Sequence, residues 1–247
     1  MRILIFLGFA LLQLQQLSAQ HYLTFGAGYS SIIFNSDELD QLEITYNYVN
    51  SPNLSRFMTG IRTGDGVRIE AGYRYLKKWS AAVNAGFQYY SGFDGAAFNN
   101  GQGRNLDLKI KQFFLDSEFG HTFRNYFFNG LLTAYFARDL KLISEYTGPE
   151  DEIDRPISGT FKGDVNFALD AGISIGLHKE PFMLIGKITY PVYSAADSDK
   201  LVKKGGGDFN SFPSDFVQYT AGESYEALTN EIDGLKIMLS FVFVLGI

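Results

Sequence analysis

Acid or base chemistry near neutral pH falls first to histidine, and the chain has three: His21, His121 and His178. A hydrolytic site sets such a base beside Ser or a carboxylate in one cleft or at one rim. His121 instead precedes the short connection Thr122-Phe123-Arg124-Asn125, His178 opens His178-Lys179-Glu180-Pro181, and His21 follows a candidate cleavage site. All three therefore map to one side of the molecule, away from the longer loops. With no Cys, thiolate nucleophiles, disulfides and a lipid anchor are excluded. The acidic run Glu150-Asp151-Glu152-Ile153-Asp154 lacks the spaced ligands and glycine of a calcium loop. Gly26-Ala27-Gly28 and Gly205-Gly206-Gly207 are fragments without the residues that make a nucleotide site. The expectation is no enzyme: catalytic residues none, cofactor-binding residues none, metal ligands none.

What remains is a set of charges at alternate positions. Arg68, Glu70 and Arg74 share one parity of one segment, and Glu43, Asp116, Glu118, Asp170 and Lys187 occupy matching positions on others. Small residues (Gly26, Gly28, Gly72, Gly86, Gly172, Gly176) share that parity. Small residues mixed with opposite charges suit a narrow, crowded interior in which side chains pack and pair. A solvated outer face has no use for so many strand-weakening glycines. Two readings follow: an ion-pair network that fills a barrel, or a narrow selective path lined by the same charges.

The elements that must position these charges are strands. Leu235, Ile237, Leu239, Phe241, Phe243, Leu245 and Ile247 alternate with Lys236, Met238, Ser240, Val242, Val244 and Gly246, a period of two too long for an ordinary soluble strand. The same alternation runs through 67–75, 79–89 and 165–177, and predicts a further strand at Leu42, Ile44, Tyr46 and Tyr48. In 106–119 the apolar parity changes, which predicts a bulge near Lys111-Gln112. Segment 126–142 is ambiguous in its facing: an inward Arg138 would carry Phe128 and Phe136 inward too. With the weak segment 54–62 the count is about ten strands, with eight as the alternative. An even number leaves both termini on one side, and short turns alternate with longer loops (144–163, 194–233), the asymmetry of periplasmic turns against extracellular loops.

Met1-Arg2, the apolar run Ile3 to Leu12 and Leu17-Ser18-Ala19 read as a signal peptide over 1–19, leaving 20–247 as one domain. A net charge of −6 disfavours nucleic acid. A mean hydropathy of −0.04 despite 23 Phe and 15 Tyr is what alternation produces, because a lipid-facing barrel hides its apolar face from any window average. Alternation alone also fits a soluble calyx. Girdles distinguish the two: Tyr22, Tyr46, Tyr48, Tyr73, Tyr75, Trp79 and Phe243 are expected at the periplasmic rim, and Tyr29, Phe87, Tyr89, Tyr190 and Tyr193 at the outer one.

A leader, alternating strands throughout and the closing strand Leu235 to Ile247 resemble the small Gram-negative outer-membrane β-barrel proteins of the OmpA, OmpX and OmpW type. The resemblance implies an all-β, antiparallel, up-and-down transmembrane barrel in the cell outer membrane, with both termini periplasmic. It implies outer-membrane lipid and lipopolysaccharide as surroundings, the barrel-assembly machinery during biogenesis, and a surface partner through loops 144–163 and 194–233. In that group the last residue is usually aromatic; here it is Ile247, so recognition would rest on Phe243 and Phe241. The group also implies three possible roles: structure or adhesion through the loops, a small-solute channel, or proteolysis or lipid A modification.

Overall fold

The computed structural model describes residues 21–148, 157–194, 201–203 and 232–247. The expected signal peptide, the acidic run 150–154 and much of the two long loops lie outside the described residues. The chain folds as β1 (His21–Asn35), α1 (Asp37–Asn50), a 3-10 turn (Ser51–Asn53), β2 (Leu54–Arg56), β3 (Thr63–Leu76), β4 (Trp79–Phe98), β5 (Gly103–Phe123), β6 (Tyr126–Tyr146), β7 (Gly159–Lys179), β8 (Phe182–Ser194), β9 (Val202–Lys203) and β10 (Asp233–Gly246).

The described residues form one antiparallel sheet of ten strands. Eight of them close on themselves in the order β1-β3-β4-β5-β6-β7-β8-β10, with β10 returning to β1. The short β2 and β9 are added to β4 and β7. Closure leaves no free ring edge to aggregate. Tyr22 pairs with Gly246, so both termini sit at one end, called here the near end. Among the described residues no helix is long and apolar enough to cross a membrane.

One register row divides the barrel. Phe87, Phe113, Phe136 and Phe167 stand side by side on the outer wall of β4 to β7, with ring centroids of 5.5 Å for Phe87–Phe113 and 5.5 Å for Phe136–Phe167. Between this row and the near end the outward side chains are largely apolar, including Val83, Leu115, Phe119, Leu132, Ile173, Ile175, Leu239 and Phe241, all exposed. From Phe113 to Phe123, β5 rises about 25 Å once its tilt is allowed for, the height of a bilayer's apolar band. Beyond the row the pattern inverts. The outward face carries Asp107, Lys109, Lys111, Asp139 and Lys141, while Leu106, Leu108, Ile110, Leu140, Leu142 and Phe161 are buried inside. On β4 to β7 the lower part carries its apolar side chains outward and its charges inward; the upper part, a lobe, reverses this around an apolar core. Tyr73, Trp79 and Phe243 face outward toward the near end and Tyr29, Tyr89, Tyr190 and Tyr193 toward the far one, whereas Tyr22 turns inward and is buried.

This inversion corrects the bulge. Leu106, Leu108 and Ile110 share their parity with Gln112, Phe114, Asp116 and Glu118, so β5 runs without a break. The register does shift at Lys111/Phe113, but the extra residue lies on β6, where Ala137 adopts φ 48°. The bulge changes the parity of β6, so Phe128 and Phe136 face out while Arg138 faces in and is buried.

The strand expected at Leu42 to Tyr48 is instead α1. Leu42 and Tyr46 satisfy a period of two, but they are also four residues apart, and with Leu39 they make a buried helical stripe. Ser36 caps the helix, its Oγ accepting from the Leu39 amide at 3.4 Å. Tyr46 and Tyr48 therefore lie at the far end rather than at the near rim. The helix stripe joins Ile32, Phe34, Met58, Ile61, Tyr90, Phe98 and Leu108 in the core of the lobe. Asp94 of β4 pins the return segment, accepting from the amides of Thr59 (3.1 Å) and Gly60 (2.8 Å).

Candidate functional site

The lumen is stratified. At the near end Tyr22, Leu76, Phe127, Met183, Val242 and Val244 form a buried apolar layer. At the far end the core of the lobe covers the opening. Between the two lies an ionic layer.

Its centre is Lys187 on β8. The ammonium Nζ stands 2.7 Å from Asp116, 2.9 Å from Glu70 and 3.2 Å from Glu118. Arg68 bridges Glu70 at 3.0 Å and also pairs with Asp116. Arg74 donates to Glu118 at 2.8 Å. Neutral donors take further carboxylate lone pairs: the Thr133 hydroxyl donates to Asp116 at 2.8 Å, and the Ser174 hydroxyl to Glu118 at 2.7 Å. A second cluster joins Lys236 to Asp170 (2.9 Å) and Asp233 (2.5 Å), with Arg138 3.7 Å from Asp233. Five cations thus meet five anions, all buried. An unbalanced charge in such a place costs several kcal/mol, so the pairing is what makes the layer tolerable.

Alternation places these side chains because every one lies on an inward position of its strand. Two cross-strand stacks hold the arginines flat. Phe114 covers Gly86 on the neighbouring strand, where a methyl group would meet Phe114 Cζ at 2.7 Å, and the Arg68 guanidinium lies 3.4 Å over the same ring. Phe127 covers Gly176 in the same way, with Arg74 4.3 Å over it. Glycine is required at both positions because the ring occupies the space of a Cβ.

Of the eight lumen charges expected from sequence, the structure brings Arg68, Glu70, Arg74, Asp116, Glu118 and Lys187 into one network and puts Asp170 in the adjoining one. Glu43 is elsewhere. It sits on α1 and pairs with Arg62 at 2.8 Å, because its segment is a helix and not a strand. Partial burial raises its carboxyl above the usual range, and Arg62 opposes that shift. Sequence reading missed Arg138, Asp233 and Lys236 as members. Lys236 carried the signal: it is a cation on the inward parity of the last strand.

His21, His121 and His178 all lie toward the near end, on β1, β5 and β7. Among the described residues no group of three or more His, Asp or Glu gathers as a metal site. On the far side β8 leaves β10 above Thr189, and a pocket of about 310 Å³ opens between Tyr190–Ser194 and Asp233, Gly234 and Asn35.

No family model and no curated protein matches the sequence. Solved structures similar to the chain include two of Ail, the attachment invasion locus protein of Yersinia pestis. One of them, in complex with the heparin analogue sucrose octasulfate, aligns with TM-score 0.45 and 10% identity, over 91% of this chain and 99% of that one. The other aligns with TM-score 0.43 and 12% identity, over the same shares. By its own ring of strands and its outward apolar belt, the chain has the architecture of the small outer-membrane β-barrels.

Proposed function

We propose that the protein is an integral outer-membrane barrel that does not conduct, whose lumen is a structural core and whose far-end lobe and loops are its working surface. The near end, with the termini and short turns, faces the periplasm; the lobe and the loops from 144 and 194 face outward. The observation that carries this reading is the inversion at the phenylalanine row. A chain has no reason to build a second, water-facing hydrophobic core above its membrane band unless that part presents something. A structural or adhesive role through the lobe fits this better than catalysis, since all three histidines lie toward the opposite end. The channel reading has to contend with an apolar layer on each side of a charge-balanced network, which leaves an ion neither a wet path nor an uncompensated partner.

The test uses intact cells displaying the full chain, against cells displaying a variant in which 145–158 and 195–232 are replaced by short Gly-Asn turns. Both must reach the outer membrane and show heat-modifiable migration. Adhesion to host-cell monolayers at least severalfold above vector for the full chain, lost in the variant, is the expected result. Equal adhesion by the variant and the vector-only cells to that of the full chain would remove the surface role.

A further inference from the structure

Toward the far end β8 peels away from β10. The two strands pair as far as Thr189 and Lys236, and continuing that register would set Tyr190 against Leu235 and Pro191 against Gly234. Two local features stop it. Pro191 has no N–H to give to a ladder. The register of β8 against β7 also shifts between Leu169 and Asp170, so that Val192 is an extra residue that bends the strand. The cleft that results, about 310 Å³, has the size at which small-molecule sites begin.

The walls of the cleft say what fits it. Tyr190 and Tyr193 line it with both side chains exposed, and so does Asn35. Among the described residues their phenol hydroxyls and amide have no hydrogen-bond partner. Asp233 also lines the cleft while only 5% exposed, its charge met by Lys236 at 2.5 Å and Arg138 at 3.7 Å. It therefore offers carboxylate lone pairs without an uncompensated charge. The diverging strand edges add backbone N–H and C=O groups. An apolar ligand would strand these polar groups, and an ion finds no free charge to answer it. An extended peptide needs a regular edge to pair with, which Pro191 and the bulge remove. A sugar ring meets every demand: its hydroxyls both donate and accept, and its C–H face packs on the π-face of a tyrosine. We propose that the cleft binds a neutral saccharide, with Tyr190 and Tyr193 as packing platforms and Asn35 and Asp233 as hydrogen-bonding partners. The proposal rests on the outward orientation of the far end given above and adds a site and a ligand class to it.

Orientation is tested first and by itself. Val192→Cys gives the chain its only cysteine, and a membrane-impermeant maleimide should label it on intact cells. The full chain is then purified in a detergent without a sugar headgroup, checked for heat-modifiable migration and applied to an array of neutral, sialylated and sulfated oligosaccharides. The neutral saccharide bound best is titrated by calorimetry. Wild type should bind neutral saccharides above charged ones. Each ring is expected to contribute about two- to tenfold, so Y190A/Y193A should lose about tenfold or more, whereas Y190F/Y193F, which keeps the rings, should retain most of the affinity. Absence of any bound neutral saccharide, undiminished binding by Y190A/Y193A, or a preference for sulfated or sialylated chains overturns the proposal. Extended peptides from a random library, held by wild type but not by Y190A/Y193A while no saccharide binds, would overturn it too and assign the cleft to a protein strand. Unlabelled Val192→Cys on cells that carry the heat-modifiable protein contradicts the orientation instead and leaves binding by the purified chain readable, so the two failures are distinguishable.

Discussion

Lys187 Nζ lies 2.7 Å from Asp116 with both side chains wholly withdrawn from solvent, and the same ammonium reaches Glu70 and Glu118. One cation therefore serves three carboxylates contributed by two other strands. Lys187→Met keeps most of the volume and removes the charge. The expected loss is about 3–5 kcal/mol, the cost of leaving buried charge uncompensated, read as a lower denaturant midpoint of the heat-modifiable form in vesicles. Lys187→Arg should recover part of it. A loss of under about 1 kcal/mol for Lys187→Met would mean the network is hydrated and screened.

Gly176 supports Phe127 by giving it room: an added methyl would run into the Phe127 ring at Cζ. Gly176→Ala should destabilise by about 1–3 kcal/mol through forced repacking. Adding Phe127→Leu should cost less than the sum of the two single changes, since the smaller side chain relieves the clash. Strict additivity in that cycle would show that the ring does not lie over the glycine.

Asp94 holds the 54–62 segment to β4 through the amides of Thr59 and Gly60. Asp94→Ala should speed amide exchange and proteolysis within 54–62 while leaving the unfolding midpoint of the barrel within about 0.5 kcal/mol, because the lobe's periphery opens separately from the ring. An equal loss in both would show that lobe and barrel unfold as one unit.

Ala137 is the extra residue that lets β6 present Phe136 to the outer wall and Arg138 to the lumen. Deleting it restores a single parity and forces one half of the strand to face the wrong way. The deletion should abolish the heat-modifiable band, whereas Ala137→Gly, which tolerates the positive φ, should keep it. A normal band from the deletion would contradict the register.

The membrane half was legible because alternation, inward glycines and charge parity all point the same way there. Shared parity alone groups Arg68, Glu70 and Arg74 with Asp116, Glu118 and Lys187 in one interior. The lobe was not legible for one physical reason: above Phe113 the apolar side chains of β5 turn from the outer wall to the inside, so one parity carries opposite chemistry in its two halves. By parity alone Leu106 and Leu108 mimic a bulge, although they belong to a second core. Leu42 and Tyr46 fit both a strand face and a helix stripe, and only Ser36, a helix cap, separates the two. Arg138 was unplaced because a one-residue bulge leaves no compositional mark.

Conductance in planar lipid bilayers tests the closed, charge-balanced lumen most directly. Wild-type protein that is fully heat-modifiable should insert without discrete current steps at any polarity, and variants lacking 195–232 should stay silent too, because the ionic and near-end apolar layers remain. Reproducible single-channel openings from the wild type would contradict the account and make the charged layer a path.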